Sequence, residues 1–410
     1  MGGAETYLSQ VVPALRDGGH DVFFWHEQNQ PTDREPIAGL ADTPSCDASD
    51  VGLESALHTL ERWHPDVLYA HGLLDPEHER ALLAIAPAVF FGHGYYGTCI
   101  SGAKTTTFPV VQPCSRRFGP ACLFHFYPRR CGGLNPVTMI ADYRRQAARL
   151  ENLRQYQAIA TFSQHMRREY VTQGFSEDRV HVLPHINPAP IEGTVIDRPR
   201  QPASAADGDD AARTWQLTFL GRVDALKGLH VLVEALAPVR RAVKGRIVLT
   251  VAGDGPDLER CREAARAAST LPDTEIAFVG WVSQHACEAL LDESDVLVMP
   301  SLWPEPFGLS GIEALRRGVP VAALASGGIP EWLEDGRTGA LASVDPPTAQ
   351  GLAAAIVRCL TSSEIRQTVR DRARLHAEAN SIQQHLDALI PLLAAASGTA
   401  AMRKPEACRS

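Results

Sequence analysis

Short apolar runs rich in β-branched residues alternate along the chain with longer stretches in which apolar residues recur at helical spacing. The short runs are residues 22–25, 67–70, 88–91, 159–162 and 181–183, then 217–220, 247–252, 276–279, 296–299 and 319–323. Leu8, Val11 and Leu15 are an example of the helical spacing. This alternation is typical of βαβ units and predicts parallel sheets.

Two such series are separated by a polar stretch rich in Pro, Ala, Gly and Asp. The stretch covers residues 188–213 and is typical of a linker. A chain of 410 residues has the length of two domains. The sequence therefore predicts a first domain over 1–187, a second over 214–380, and a C-terminal helix with a loose tail over 381–410. Both would be doubly wound α/β domains, which bind ligands at the carboxyl ends of their strands.

The composition is that of a globular protein. Apolar residues make up 45% and charged residues 21%, and 39 Lys and Arg stand against 48 Asp and Glu, a net charge of −9. These values exclude global disorder and argue against a general nucleic-acid binder. No apolar run approaches the roughly 18–20 residues that span a bilayer, and the start lacks a signal-peptide pattern. We therefore expect a cytoplasmic protein with mostly reduced cysteines.

Basic residues follow the first strand of the second domain. Gly221 and Arg222 end the strand, and Lys227 comes just before a helix. Glycine lets backbone amides approach a phosphate, while Arg and Lys neutralise phosphoryl groups. The next strand ends at Gly253, on the same edge of the sheet. The sequence predicts a diphosphate site here, with two solvated cations at a strand end as the alternative.

Two carboxylates, Glu305 and Glu313, lie on a strand-to-helix connection with seven residues between them. Glu305 belongs to the glycine-rich loop and Glu313 to the helix. Carboxylates accept bidentate hydrogen bonds from vicinal hydroxyls, such as those of a ribose or hexose ring. The alternatives are a carboxylate that complements the helix dipole, which would explain Glu305 alone, and a hydrolase pair of acid and nucleophile. The neighbouring phosphate site disfavours the hydrolase.

In this order the motifs resemble the retaining glycosyltransferases of family 4, over nearly the whole chain. Further matches are Gly2-Gly3-Ala4-Glu5, Lys227-Gly228, Gly253-Asp254-Gly255-Pro256, Ser294-Asp295-Val296 and Gly327-Gly328-Ile329-Pro330-Glu331. The resemblance implies the α/β GT-B fold, in which two Rossmann-like doubly wound domains face a central cleft. A glycine loop such as the first normally follows a strand. Its place at residue 2 indicates a start downstream of the true one or a first sheet without its founding strand.

The resemblance also implies site residues. Those in catalysis would be Arg222, Lys227, Glu305 and His93. Those that bind the donor would be Gly3, Gly221, Gly253, Trp281, Val282, Phe307, Gly308, Leu309 and Glu313. Arg222 and Lys227 would hold the donor diphosphate, Glu305 and His93 would lie near the sugar, and Glu313 would bind the ribose.

The implied co-substrate is a nucleoside diphosphate sugar, UDP- or GDP-linked, and the acceptor is a glycan or lipid-linked glycan. Fixed positive charge from Arg222 and Lys227 would make a catalytic metal or other cofactor unnecessary. Two other hypotheses for the function remain beside the transferase. One is a nucleotide-sugar epimerase or glycogen-synthase-like enzyme, and the other is a non-catalytic sugar-nucleotide-binding scaffold, against which the intact Arg222, Lys227, Glu305 and Glu313 set argues.

An insertion over residues 97–155 distinguishes the first domain. It holds nine Lys or Arg against two acids, interleaved with aromatic residues. Such a segment suits an anionic acceptor or peripheral contact with the inner membrane face, and a solvated loop is the alternative.

The same insertion carries four cysteines, Cys99, Cys114, Cys122 and Cys131. Their clustering predicts a shared structural role, which could be zinc, disulfides or buried thiols.

Overall fold

The computed structural model of the chain describes residues 3–27, 40, 42–187, 213–268, 271–378 and 381–398. Three features of the sequence therefore lie outside the described residues. They are the linker over 188–213 apart from Arg213, Gly2 of the start motif, and residues 399–410 of the tail.

Helices and strands alternate as the apolar pattern predicts. The described α-helices are α1 (Gly3–Asp17), α2 (Ala48–Val51), α3 (Leu53–Trp63), α4 (Pro76–Leu83), α5 (Ala121–Phe126), α6 (Pro136–Leu153), α7 (Gln164–Thr172), α8 (Leu229–Ala242), α9 (Leu258–Ala268), α10 (Gln284–Glu293), α11 (Leu309–Arg316), α12 (Ile329–Trp332), α13 (Ala349–Thr361), α14 (Ser363–Glu378) and α15 (Ile382–Ser397). The strands are β1 (Phe24–His26), β2 (Ser45–Asp47), β3 (Leu68–Ala70), β4 (Ala88–Phe91), β5 (Thr105–Thr106), β6 (Gln112–Pro113), β7 (Ala158–Thr161), β8 (Val180–Val182), β9 (Thr214–Leu220), β10 (Arg246–Ala252), β11 (Thr274–Gly280), β12 (Val296–Met299), β13 (Val321–Leu324) and β14 (Gly339–Ala342). None of these described helices is long and apolar enough to cross a membrane.

The chain divides into two compact units whose boundaries differ from a single cut after residue 187. Unit 1 comprises Met1–Ala103, Arg116–Pro188 and Asn380–Ser410, and unit 2 comprises Lys104–Ser115 and Ala189–Ala379. The short antiparallel hairpin β5–β6 of the insertion thus groups with unit 2, where Val111 packs against the core. Helix α15 groups with unit 1.

Unit 2 is built on a six-stranded parallel sheet in the order β11-β10-β9-β12-β13-β14. Strand β12 shows why its apolar run is continuous. Val296 and Val298 belong to the core on one face of the sheet, while Leu297 and Met299 belong to the core on the other. Strands covered by helices on both faces need apolar residues at every position. The predicted parallel α/β architecture is present in this unit.

Unit 1 contains a four-stranded parallel sheet in the order β3-β4-β7-β8, and a separate parallel pair, β1–β2. Its core combines strand residues such as Phe91 and Ala160 with residues from both ends of the chain. Tyr7 and Val11 come from α1, and Leu389 comes from α15. This sheet also has the parallel order that the sequence predicts.

A buried carboxylate ties α4 to the end of α6. Glu79 is 1% exposed and accepts hydrogen bonds from three side chains. Tyr156 donates to Oε1 at 2.7 Å, while Tyr96 and Asn152 both donate to Oε2 at 2.9 Å. Burial raises the pKa of Glu79, and the three donors oppose that rise. The three hydrogen-bond donors therefore stabilise the ionised form of Glu79 in its buried position.

Tyr156→Phe removes one of these donors without changing the packed volume. Loss of a partner to a buried acceptor costs about 1–3 kcal/mol, so we expect unfolding in urea at a lower denaturant concentration, followed by circular dichroism. Tyr127→Phe is the matched control, because the Tyr127 side chain is exposed. Equal midpoints for the two variants would contradict the role given to Tyr156.

Candidate functional site

Glycine lines the carboxyl ends of three neighbouring strands in unit 2. The amide of Gly221 donates to Ala252 O at 3.1 Å, and that of Gly253 donates to Gly280 O at 2.7 Å. Gly253 has a φ of +143°, and a Cβ there would lie 1.9 Å from Gly221 O. This close approach excludes any side chain. The backbone after β10 therefore packs directly against the backbone after β9.

The loop after β9 carries the two predicted phosphate-binding cations. Asp224 accepts hydrogen bonds from the amides of Leu226 and Lys227, each at 3.0 Å, and so starts a single 3-10 turn. The Arg222 side chain is 70% exposed and lies 3.7 Å from Asp224. An exposed ion pair of this kind contributes little to stability, so the guanidinium can leave Asp224 and bind an anionic ligand.

Lys227 and Glu305 form an ion pair at this edge. Lys227 Nζ lies 2.7 Å from Glu305 Oε1, with side-chain exposures of 26% and 6%. The Ser301 hydroxyl donates to the same carboxylate oxygen, and Nζ lies 5.0 Å from the centre of the Trp303 ring. A carboxylate this deeply buried requires a partner of opposite charge. The structure thus brings together Lys227 and Glu305, which are predicted to serve one site.

The glycine pair at residues 327–328 holds the loop that carries Glu305. The amide of Gly328 donates to Glu305 O at 2.7 Å. A Cβ on Gly327 would lie 2.2 Å from that same oxygen. Further along, Trp332 Nε1 donates to Phe307 O at 2.6 Å. These contacts fix the backbone at Glu305 and at Phe307, the first of the predicted sugar-binding amides.

The remaining predicted donor residues of unit 2 lie on the same edge of its sheet. Gly308, with a φ of +95°, stands before α11, and Leu309 is the first residue of that helix. Trp281 follows β11 directly and is 61% exposed, while Val282 beside it is partly buried. An exposed indole at a strand end offers a flat surface against which a planar ring can stack.

Glu313 lies in the second turn of α11 and has different partners from Glu305. Burial raises the pKa of Glu313 to about 7, opposed by Arg316 and Arg317 and by a hydrogen bond from Gln284. Close to neutral pH this carboxyl group therefore changes its protonation state. Binding of a ligand that requires the ionised form of Glu313 would therefore release a proton from the protein.

In unit 1, His93 follows β4 and is paired with a histidine that the sequence reasoning missed. His93 Nε2 lies 3.0 Å from Nδ1 of His71, which follows the neighbouring strand β3. Burial lowers the pKa of His93 to about 4 and also lowers that of His71, so both rings are neutral at pH 7. In a neutral pair one ring donates and the other accepts. His71 could have been found, because it ends a parallel strand beside that of His93.

Helix α1 completes this region of unit 1. Gly3, the predicted diphosphate contact, is its first residue. Tyr7 of the same helix lies 2.7 Å, through its hydroxyl, from both Tyr69 Oη and His385 Nε2. His385 in turn is bonded through Nδ1 to Pro184 O at 2.6 Å. None of these partners belongs to a motif, so no pattern in the sequence predicts these contacts.

The four insertion cysteines do not form the predicted shared site. None of the four is part of a disulfide bond in the described residues. Within the described part of the chain, no group of three or more His, Cys, Asp or Glu side chains could hold a metal ion. Cys122 and Cys131 instead face backbone carbonyls, at 4.0 Å from Arg117 O and 3.9 Å from His125 O. The residues present do not fit a zinc ion.

Two family models match the chain, one to each half. Glycosyltransferase Family 4 matches residues 1–186, and Glycosyl transferases group 1 matches residues 204–376. Together they cover the start motif, the histidine pair and the whole glycine-lined edge of unit 2.

Curated relatives match part of the chain. Glycogen synthase of Mycobacterium tuberculosis (strain ATCC 25618 / H37Rv) is 34% identical over 171 residues, which are 42% of this chain and 38% of that protein. D-inositol 3-phosphate glycosyltransferase of Streptomyces scabiei (strain 87.22) is 36% identical over 137 residues, 32% of this chain and 30% of that protein. The chain thus spans well under half the length of these relatives.

A solved structure matches nearly all of the chain. HepE of Anabaena, in complex with UDP and glucose, covers 96% of both chains with a TM-score of 0.65 and 17% identity. At this identity the likeness concerns the fold. It confirms the predicted GT-B class, with two Rossmann-like α/β domains.

Glu313→Gln tests the raised pKa of this carboxyl group. An unfolded Glu has a pKa of about 4.3, so between about pH 4.5 and 7 the folded protein binds more protons than the unfolded chain. Stability from this group is therefore lost as pH rises through that window. The Gln variant should lose this part of the pH dependence, measured by urea unfolding from about pH 5 to 8. Glu293→Gln, at an exposed position in α10, should keep the wild-type slope.

Proposed function

The chain belongs to the glycosyl transferases of group 1, with a first domain of glycosyltransferase family 4, and we propose that it is a retaining glycosyltransferase. Its donor would be a nucleoside diphosphate sugar, UDP- or GDP-linked, and its acceptor a glycan or lipid-linked glycan. The observation that carries the proposal is the buried Lys227–Glu305 ion pair beside bare glycine backbone and an exposed Arg222.

The diphosphate of the donor would lie against the loop after β9. Close approach is open at Gly221, which presents no side chain and has no other atom within 4 Å of the place that a Cβ would take. Arg222 and Lys227 supply two positive charges, and a guanidinium can bind phosphate oxygens through two parallel hydrogen bonds. The UDP in the HepE structure supports uridine as the first base to test.

The Lys227–Glu305 pair would change partners when the donor binds. In the structure, Lys227 and Ser301 both donate to Glu305 Oε1. A diphosphate would take part of the Lys227 charge, and Glu305 would then accept hydrogen bonds from the sugar hydroxyls. The backbone amides at residues 307–309 would add donors at the start of α11, where the helix carries partial positive charge.

Catalysis in this proposal is electrostatic. As the bond between the anomeric carbon and the phosphate breaks, positive charge develops on the sugar ring and negative charge on the leaving diphosphate. Arg222 and Lys227 would stabilise the leaving group through charge that is already in place. Glu305 would hold the sugar in a fixed orientation beside it. We propose retention of configuration because the motifs of the chain resemble those of the retaining glycosyltransferases.

A glycogen-synthase-like enzyme is the second candidate, favoured by the glycogen synthase relative. Product analysis separates the two. Such an enzyme would lengthen an α-glucan with the donor sugar, whereas a transferase with another acceptor would leave the glucan unchanged.

The donor site is tested by calorimetric titration with UDP, GDP and ADP. We expect one nucleotide to bind, and Arg222→Ala to weaken its affinity roughly 10- to 100-fold, since a charge-assisted hydrogen bond contributes about 1.5–3 kcal/mol. Arg241→Ala is the control, because that exposed residue lies in the last turn of α8, away from the glycine-lined edge. If the folded protein bound none of the three nucleotides, the proposed donor site would be contradicted. The alternative hypothesis of a sugar-nucleotide-binding scaffold would be contradicted as well.

Lys227→Ala should lower kcat more than donor affinity. The charge on the leaving group is largest in the transition state, so an interaction with that charge is worth most there. Steady-state kinetics with the donor identified by titration gives both parameters, and Lys244→Ala, at an exposed position, is the matched control. Because Glu305 would lose its buried partner, urea unfolding of the variant is measured as well. Unchanged kcat in a folded Lys227→Ala protein is the result that removes Lys227 from the mechanism.

A further inference from the structure

A projecting tip of unit 1 exposes large apolar side chains. The tip comprises residues 116–145, from the segment before α5 to the middle of α6. Phe124 is 80% exposed, Leu134 79% and Val137 73%, and Ile140 and Tyr127 are exposed as well. Side chains of this size are exposed singly on most proteins, but here five fall within seventeen residues of sequence.

Helix α6 divides into an anchored half and a projecting half. From Gln146 onward it is fixed to the unit: Gln146 accepts a hydrogen bond from the Gly97 amide at 2.8 Å, and Asn152 donates to Glu79. Residues 136–145 contain no buried side chain. The first half of the helix therefore stands away from the core of its own unit while the second half holds it in place.

The apolar side chains of the projecting half share a helix face with a cation. Val137, Ile140 and Arg144 follow one another at intervals of three and four residues, which places them on one side of the helix. Leu134 lies just before the helix start, where Asn135 caps the Val137 amide. This side of α6 is thus apolar near the start of the helix and basic one turn later.

The charge of the tip is opposite to that of the whole chain. Between residues 116 and 145 there are six Lys or Arg and one acid, Asp142, whereas the chain has a net charge of −9. Arg116, Arg117, Arg130, Arg144 and Arg145 are exposed. Asp142 lies 3.6 Å from Arg145. An anionic surface is therefore attracted to this part of the molecule and repelled by the rest.

We propose that the tip docks onto the surface of a membrane that contains anionic lipids. Phe124, Leu134 and Val137 would enter the interface between headgroups and acyl chains, and the arginines would face lipid phosphates. A nucleic acid would also meet the positive charge, but it would leave the aliphatic side chains in water. If the proposed transferase activity is correct, docking would bring the site to acceptors held in the membrane.

Vesicle co-sedimentation tests the proposal. Full-length protein is mixed with vesicles of phosphatidylcholine alone, or with an equal part of phosphatidylglycerol. We expect binding to the anionic vesicles, weakened by salt, and little to the neutral ones. The double variant Phe124→Ser with Val137→Ser should bind at least about tenfold more weakly. Arg116→Ala with Arg144→Ala should lose about fivefold for each arginine.

Matched controls change the same residue types elsewhere in unit 1. Val51→Ser and Arg62→Ala lie at exposed positions of α2 and α3 and should bind vesicles like wild type. Circular dichroism of every variant shows whether the protein is folded, and nucleotide titration reports on the donor site independently of the vesicles. Absence of binding to anionic vesicles, or equal binding by the tip variants, overturns the proposal. So does wild-type self-association that the tip variants lose, which would assign the surface to a second copy.

Discussion

The ion pair between Lys227 and Glu305 is the interaction on which the second unit's site depends. It joins two loops that are 78 positions apart in the chain but follow adjacent strands, since β9 and β12 pair directly in the sheet. The backbone reinforces it, because the amide of Leu302 donates to Leu226 O at 2.7 Å. A charge held this deeply is costly unless its partner stays near, so each loop limits the positions open to the other. The two loops therefore hold the two charged side chains at one place.

Most of this edge could be predicted because parallel strands end on one side of a sheet. Gly221, Arg222 and Glu305 each follow an apolar run, and that alone places them together once the runs form one sheet. Most predicted strand limits lie within two residues of the observed ones, as for β8, found at Val180–Val182 against the expected 181–183, while β9 starts three residues earlier than predicted, at Thr214. What local pattern cannot show is which distant segments pack together. The hairpin at Lys104–Ser115 joins the other unit through packing, which no motif announces.

The cysteines of the insertion show that residues close in the sequence need not meet in the structure. Four cysteines in a short span predicted a common site, yet spacing in the chain does not bring thiols together unless the backbone folds to do so. His71 illustrates the reverse case, a residue with no motif whose place beside His93 follows from the pairing of β3 with β4. Two neutral imidazoles suit a region from which charge is excluded, unlike the basic and acidic loops of unit 2.

The return of α15 to unit 1 sets an order in which the protein can be completed during synthesis. Leu386, Leu389 and Leu393 fill a core whose other side is α1, and the bond between Tyr7 and His385 spans 378 positions. A chain emerging from the ribosome can finish unit 2 while this core still has an open apolar face. Unit 1 closes last, although its residues are made first, and contacts so distant in sequence are slow to form. The apolar core of unit 1 is therefore protected from water only after α15 has been made and has packed against it.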